Sequence, residues 1–210
     1  ELYTVNPKTF DMTLVGPSNI AYLDMTNAPH LGYGLAVYFN YIVLVDLETG
    51  DYMGAFDWTE EVYPNLVGIT YYGSQYNSNY KAYMDYFLIL DAEGNVYLDA
   101  FINTGSQMGY FQGPDKGYVK TIGAPVDYDY FQGFHFDGQY TYWTRFNEGD
   151  NIVELIVWDT EGTDNVYSIG NFPVGVWPVA GLYTDAELSG TNALMDEELV
   201  TASVKTAELM

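Results

Sequence analysis

The chain contains no cysteine, which rules out disulfide bonds and thiol chemistry. Basic residues are almost as scarce: six Lys and Arg stand against 29 Asp and Glu, for a net charge of −23. Such a surface repels phosphate backbones and anionic headgroups, so neither nucleic-acid binding nor a membrane-surface role is expected. No apolar run reaches the length of a membrane span, so no membrane insertion is expected, and no stretch of the given residues reads as a signal peptide. Only two histidines occur, His30 and His135. No metal-ligand spacing accompanies either, and both read as ordinary turn or strand residues. G-x-S-x-G, H-E-x-x-H and phosphate-cradling glycine loops are all missing, so the chain does not read as an enzyme.

What the sequence does have is aromatic and glycine residues: 22 Tyr, 11 Phe, 4 Trp and 21 Gly in 210 residues. A chain of this length can form one all-β domain, burying roughly 70% of its unfolded surface without covalent staples. The most informative stretch is Tyr41 to Asp57, YIVLVDLETGDYMGAFD. Tyr41 to Val45 is a short unbroken apolar run, which predicts a strand covered on both faces. Asp46-Leu47-Glu48-Thr49-Gly50 then supplies turn chemistry. The Asp carboxylate accepts from backbone N–H groups ahead of it, and Gly50 takes the positive φ that closes a hairpin. Tyr52 to Phe56 returns.

The same hairpin recurs. Leu2-Tyr3-Thr4-Val5-Asn6 leads into Met12 to Gly16, Phe87-Leu88-Ile89-Leu90-Asp91-Ala92-Glu93-Gly94 into Val96 to Phe101, and Leu155-Ile156-Val157-Trp158-Asp159-Thr160-Glu161-Gly162 into Val166 to Ile169. From Asn6 through Asp46 and Asp91 to Asp159 the spacings are 40, 45 and 68 residues. The first two match the roughly 40–45 residues of a four-stranded propeller blade. The third asks for an insertion, placed at 103–130, where Gly and aromatic residues alternate.

The motif L-Y-x-V-[DN]-x-x-T-G, followed by an apolar strand ending in V-G, resembles the blade hairpins of bacterial extracytoplasmic β-propellers, relatives of lactonase-like and quinoprotein-like repeats of surface proteins. The resemblance implies a platform fold rather than an activity. The expected architecture is all-β, a propeller-like array of about four blades. It is closed by pairing of Val179 to Thr184 with Leu2 to Val5 and Met12 to Val15. Residues 1–195 form this domain, and 196–210 a tail or linker with helical composition. An open fragment of a larger propeller and a β-sandwich are the rival folds.

Candidate contacts fall in the insertion, where Tyr110, Phe111, Tyr118, Tyr128 and Tyr130 supply rigid rings with Lys116 and Lys120 beside them. No cofactor is required. Calcium is the one ion considered, through the hard oxygens of Glu148, Asp150 and Asp164, although neither loop follows the twelve-residue calcium pattern. A glycosidase pair is conceivable between Asp99 and Asp127 or Asp129, but no spacing singles it out. The expected function is a non-catalytic extracellular or cell-surface binding or scaffold domain of a bacterial protein, with a protein or glycan ligand. Its alternatives are a glycan-binding or glycan-hydrolysing domain, and a self-assembling subunit of a surface layer or filament.

Overall fold

The computed structural model of the chain describes residues 2–5, 12–16, 22–56, 63, 65–105, 108–111, 118–121, 132–147, 149–160, 162 and 165–173. Among these residues the protein is all-β, with no helix. β1 (Leu2–Val5) and β2 (Met12–Gly16) form an antiparallel ribbon. The first sheet is a meander of β3 (Asp24–Ala28), β4 (Tyr33–Tyr38), β5 (Tyr41–Val45) and β6 (Tyr52–Phe56). The second runs β7 (Leu66–Asn77), β8 (Ala82–Asp91), β9 (Asn95–Asn103) and β10 (Met108–Phe111), with β11 (Tyr118–Thr121) also on β9. The third is β12 (Gln132–Phe136), β13 (Tyr140–Asn147), β14 (Ile152–Asp159) and β15 (Val166–Pro173). Val179 to Thr184, the 196–210 tail and the pairing expected of them lie outside the described residues.

The apolar runs are covered on both faces, as their lack of a polar face predicts. Along β8, Phe87 and Ile89 enter one core with Leu35, Val37 and Ile42 of the first sheet, whereas Leu88 and Leu90 enter a second with Phe134, Trp143 and Trp158 of the third. The second sheet is therefore packed between the other two. Burial of each such side chain is worth about 1.5–3 kcal/mol. Edge-to-face contacts add to it, with the Phe87 and Phe101 rings 5.6 Å apart at 80°.

The turns behave as the sequence indicates. Asp46 Oδ1 accepts from the N–H groups of Glu48 and Thr49, and Asp91 Oδ1 from those of Glu93 and Asn95. Gly50 and Gly94 sit at φ 78° and 81°. Gly162 has a different reason to be glycine: a Cβ there would overlap the Asp159 carboxylate.

The repeat reading needs a correction in register. The Asp46 and Asp159 turns join third to fourth strands, whereas the Asp91 turn joins second to third. The aligned turns share chemistry but not position, so the 45 and 68 spacings do not measure one sheet against the next. Length also accumulates inside the second sheet, where β7 and β8 have 12 and 10 residues against five and six for β3 and β4. The 103–130 stretch contributes to the same sheet: β10 pairs with the end of β9 and β11 with its start.

Candidate functional site

The extra length of β7 and β8 carries their hairpin past the core as an arm. Leu66 to Thr70 are buried, whereas Ser74 to Tyr76 and Ser78 to Lys81 are exposed. Two faces follow from strand alternation. Tyr76 opposes Tyr83 and Ser74 opposes Asp85 on one face, and Gln75 opposes Met84 on the other. The Tyr76 and Tyr83 rings meet edge to face at 5.4 Å, 53% and 46% exposed. Asn77 shapes the tip, its Oδ1 accepting from the N–H groups of Asn79 and Tyr80.

The β3–β4 turn braces the base of this arm. Leu31 is a buried plug in the core, Gly32 takes φ 78°, and the Asn103 side-chain amide of β9 donates to the Leu31 carbonyl at 3.0 Å. Those anchors turn His30 outward onto the arm. Its ring stacks on Tyr83 at 4.3 Å and 16°. Its backbone N–H donates to Asp85 Oδ2 at 2.8 Å, and its Nδ1 lies 2.7 Å from Asp85 Oδ1. Asp85 is fully buried, and a buried carboxylate requires such donors. Ser74 Oγ supplies the third at 2.6 Å, with Tyr71 OH 2.5 Å behind it.

Serine, histidine and aspartate thus meet, but not as a nucleophilic triad. Ser74 Oγ lies 3.1 Å from the same Nδ1 that Asp85 engages. A triad needs the hydroxyl on Nε2 and the acid on Nδ1, so that a proton passes through the ring. Here Ser74 donates directly to the carboxylate, and no relay exists. The cluster fixes the His30 ring and, through it, one face of the arm.

A second concentration of buried polar groups joins the first strands of the three sheets. Asp24 of β3 accepts from the Ile69 N–H of β7 at 2.9 Å, and from the N–H groups of Met25 and of Phe134 in β12. Burial pushes its carboxyl up to about 8, against the lowering by these donors. Thr26 and Thr70 repeat the device, accepting from the N–H groups of Tyr71 and Phe136. This junction is closed and structural. His135 of β12, half-buried, is held near 4 by desolvation, with Asp137 opposing the shift.

The residues expected to make contacts are distributed otherwise. Tyr110 and Phe111 fall in β10, opposite Phe101 and Ala100, and Tyr118 and Lys120 in β11, opposite Tyr97 and Val96. Lys116, Tyr128 and Tyr130 lie outside the described residues, as do Glu148, Asp164, Asp127 and Asp129. Asp150 is exposed in the β13–β14 turn and Asp99 is buried in β9. Among the described residues no three His, Asp or Glu side chains are grouped to hold a metal.

Sequence reasoning passed over the arm. Its signal was present: six Tyr between Tyr71 and Tyr86, and no acid between Glu61 and Asp85 in a chain with 29 acids. The His30–Asp85 contact, 55 residues apart, left no local trace. No protein-family model matches the chain, and no curated protein matches it in sequence.

Proposed function

We propose that the chain is a non-catalytic, extracellular or cell-surface binding or scaffold domain that makes its contacts through the β7–β8 arm. One observation carries this reading: an exposed aromatic face, Tyr76 and Tyr83 with His30, is locked in place by a fully buried carboxylate. Rigid rings give contact area at low entropic cost, and preorganisation spares a binding surface the ordering penalty. The excess of acid elsewhere suits a secreted protein that must stay soluble.

In the same reading the three sheets are blades of a propeller-like array akin to bacterial extracytoplasmic repeats. The ribbon β1–β2 belongs to a further blade completed from the C-terminal side. Support comes from the junction at Asp24, where first strands of all three sheets converge. It comes also from Gly16, whose backbone lies directly against Thr49 of the β5–β6 turn.

The test is an array of cell-wall polymers, soluble glycans and purified secreted proteins, probed with the parent protein and with a Tyr76→Ala/Tyr83→Ala variant. The reading expects at least one target that the parent holds and the variant releases at unchanged melting temperature. Equal retention of both proteins on every target would refute the arm as the contact surface.

A further inference from the structure

Resting on the arm as the binding element, we infer that its outer end holds a carbohydrate site for a neutral glycan. At the outer end of the arm the hairpin forms a cleft of about 230 Å³ lined by Gln75, Tyr76, Asn77, Ser78, Asn79, Met84 and Tyr86. That volume falls below the 300–1,000 Å³ of pockets for drug-sized ligands, and suits one ring of a chain that continues past it.

The lining chemistry selects the ligand. No acid or base contributes to the cleft, in a chain whose net charge is −23. A cationic partner would find its attraction elsewhere on the molecule, and an anionic one would be repelled by that surface. What lines the cleft instead is amide and hydroxyl. Each side-chain amide offers both donors and an acceptor, which is what a ligand rich in hydroxyl groups needs.

Part of this set is already committed and part is open. Asn77 is spent on the fold, its Oδ1 shaping the tip and its Nδ2 donating to Met84 Sδ at 3.1 Å. Tyr86 OH donates to Gln75 Oε1 at 3.4 Å, a long bond that leaves the amide N–H groups of this cleft-lining residue unengaged among the described residues. Among the described residues, the side chains of Ser78 and Asn79 make no hydrogen bond within the protein. Tyr86 is half-buried, held in place by packing beside Met84, Ala100 and Ile102. Uncommitted amides and a hydroxyl present both donors and acceptors to the hydroxyl groups of a sugar.

The experiment is native affinity electrophoresis of the full chain through gels containing a neutral β-glucan, a galactomannan, an arabinoxylan or starch, with polygalacturonate as the anionic comparison. At least one neutral polymer should retard the parent. A Gln75→Ala/Asn79→Ala variant, altered only at exposed tip positions, should lose at least tenfold in apparent affinity at unchanged melting temperature. Retardation by no neutral polymer, or equal retardation of parent and variant, overturns the inference. Should the Tyr76- and Tyr83-dependent target on the array prove to be a protein while every gel is negative, the glycan site is refuted and the arm as a binding element stands. With no target on the array and no retardation in any gel, both fail.

Discussion

Replacing Asp85 with asparagine should release the brace at the base of the arm. The carboxylate accepts three bonds: from His30 N at 2.8 Å, His30 Nδ1 at 2.7 Å and Ser74 Oγ at 2.6 Å. Asparagine keeps one oxygen. Placed at the Oδ1 position, that oxygen preserves the contacts to the ring and to Ser74. The amide N–H₂ then faces the backbone N–H of His30, donor against donor, in a fully buried site. The other orientation keeps the His30 N–H bond. Its amide N–H₂ can donate to Nδ1 and Ser74 Oγ only if the imidazole carries its proton on Nε2 and the hydroxyl turns round. In either orientation the charge on the acceptor is lost. A hydrogen bond to a charged group contributes about 1.5–3 kcal/mol, and a buried donor left without a partner costs about 1–3 kcal/mol. The substitution should therefore destabilise the domain by about 2–4 kcal/mol. For a domain of this size that lowers the melting temperature by roughly 4–16 °C. A local readout separates brace from general stability: proton NMR contacts between the His30 and Tyr83 rings should vanish in Asp85→Asn below its transition. A double-mutant cycle with His30→Ala should show coupling of at least about 1 kcal/mol. A variant that unfolds with the parent and keeps the ring contacts would mean that Asp85 does not hold the turn.

Other consequences concern pH and backbone. Asp24 has a folded value near 8 against an ordinary 3.8, so the proton is bound more tightly in the fold. Its contribution is full below about pH 4 and is lost as pH rises through about 8, on the order of 5 kcal/mol at most; urea midpoints should fall from pH 5 to pH 8.5 in the parent and much less in Asp24→Asn. Gly50→Val should cost about 1 kcal/mol or more, because φ 78° is strained for a β-branched residue, and a melting temperature equal to the parent's would contradict this. Gly16→Ala drives a methyl group into the Thr49 carbonyl. It should destabilise by about 1–3 kcal/mol, with hydrogen exchange rising first in β1, β2 and the β5–β6 turn; unchanged exchange there would show the ribbon to be independent of that turn.

How far the sequence could be read depended on whether a segment has a buried face. Tyr41 to Val45 and Phe87 to Leu90 carry no polar positions, and both lie within cores, as that pattern requires. The Asp46 and Asp91 turns were legible because an Asp side chain and a glycine three or four residues on act locally. Their places in the sheets were not, because turn chemistry is the same between any two antiparallel strands. In the sequence the arm shows only the polar turn residues Gln75 to Tyr80. A hairpin that projects beyond its core has no buried face in its outer half, and so no period that alternation can reveal. Burial of Asp24 and Asp85 was equally hidden, since donors that help to satisfy them, Ile69 and His30, stand 45 and 55 positions away.

If the arm binds a neutral glycan, the open amides of Gln75 and Asn79 should touch it. Two-dimensional NMR of the parent, titrated with a soluble oligosaccharide of whichever neutral polymer retards it, reads those groups one by one. The side-chain amide resonances of Gln75 and Asn79 and the ring protons of Tyr86 should shift together, saturably, while those of Asn40 and Asn171 on the first and third sheets stay fixed. Shifts confined to residues outside β7, β8 and their turn would contradict the assignment of the arm as the binding site.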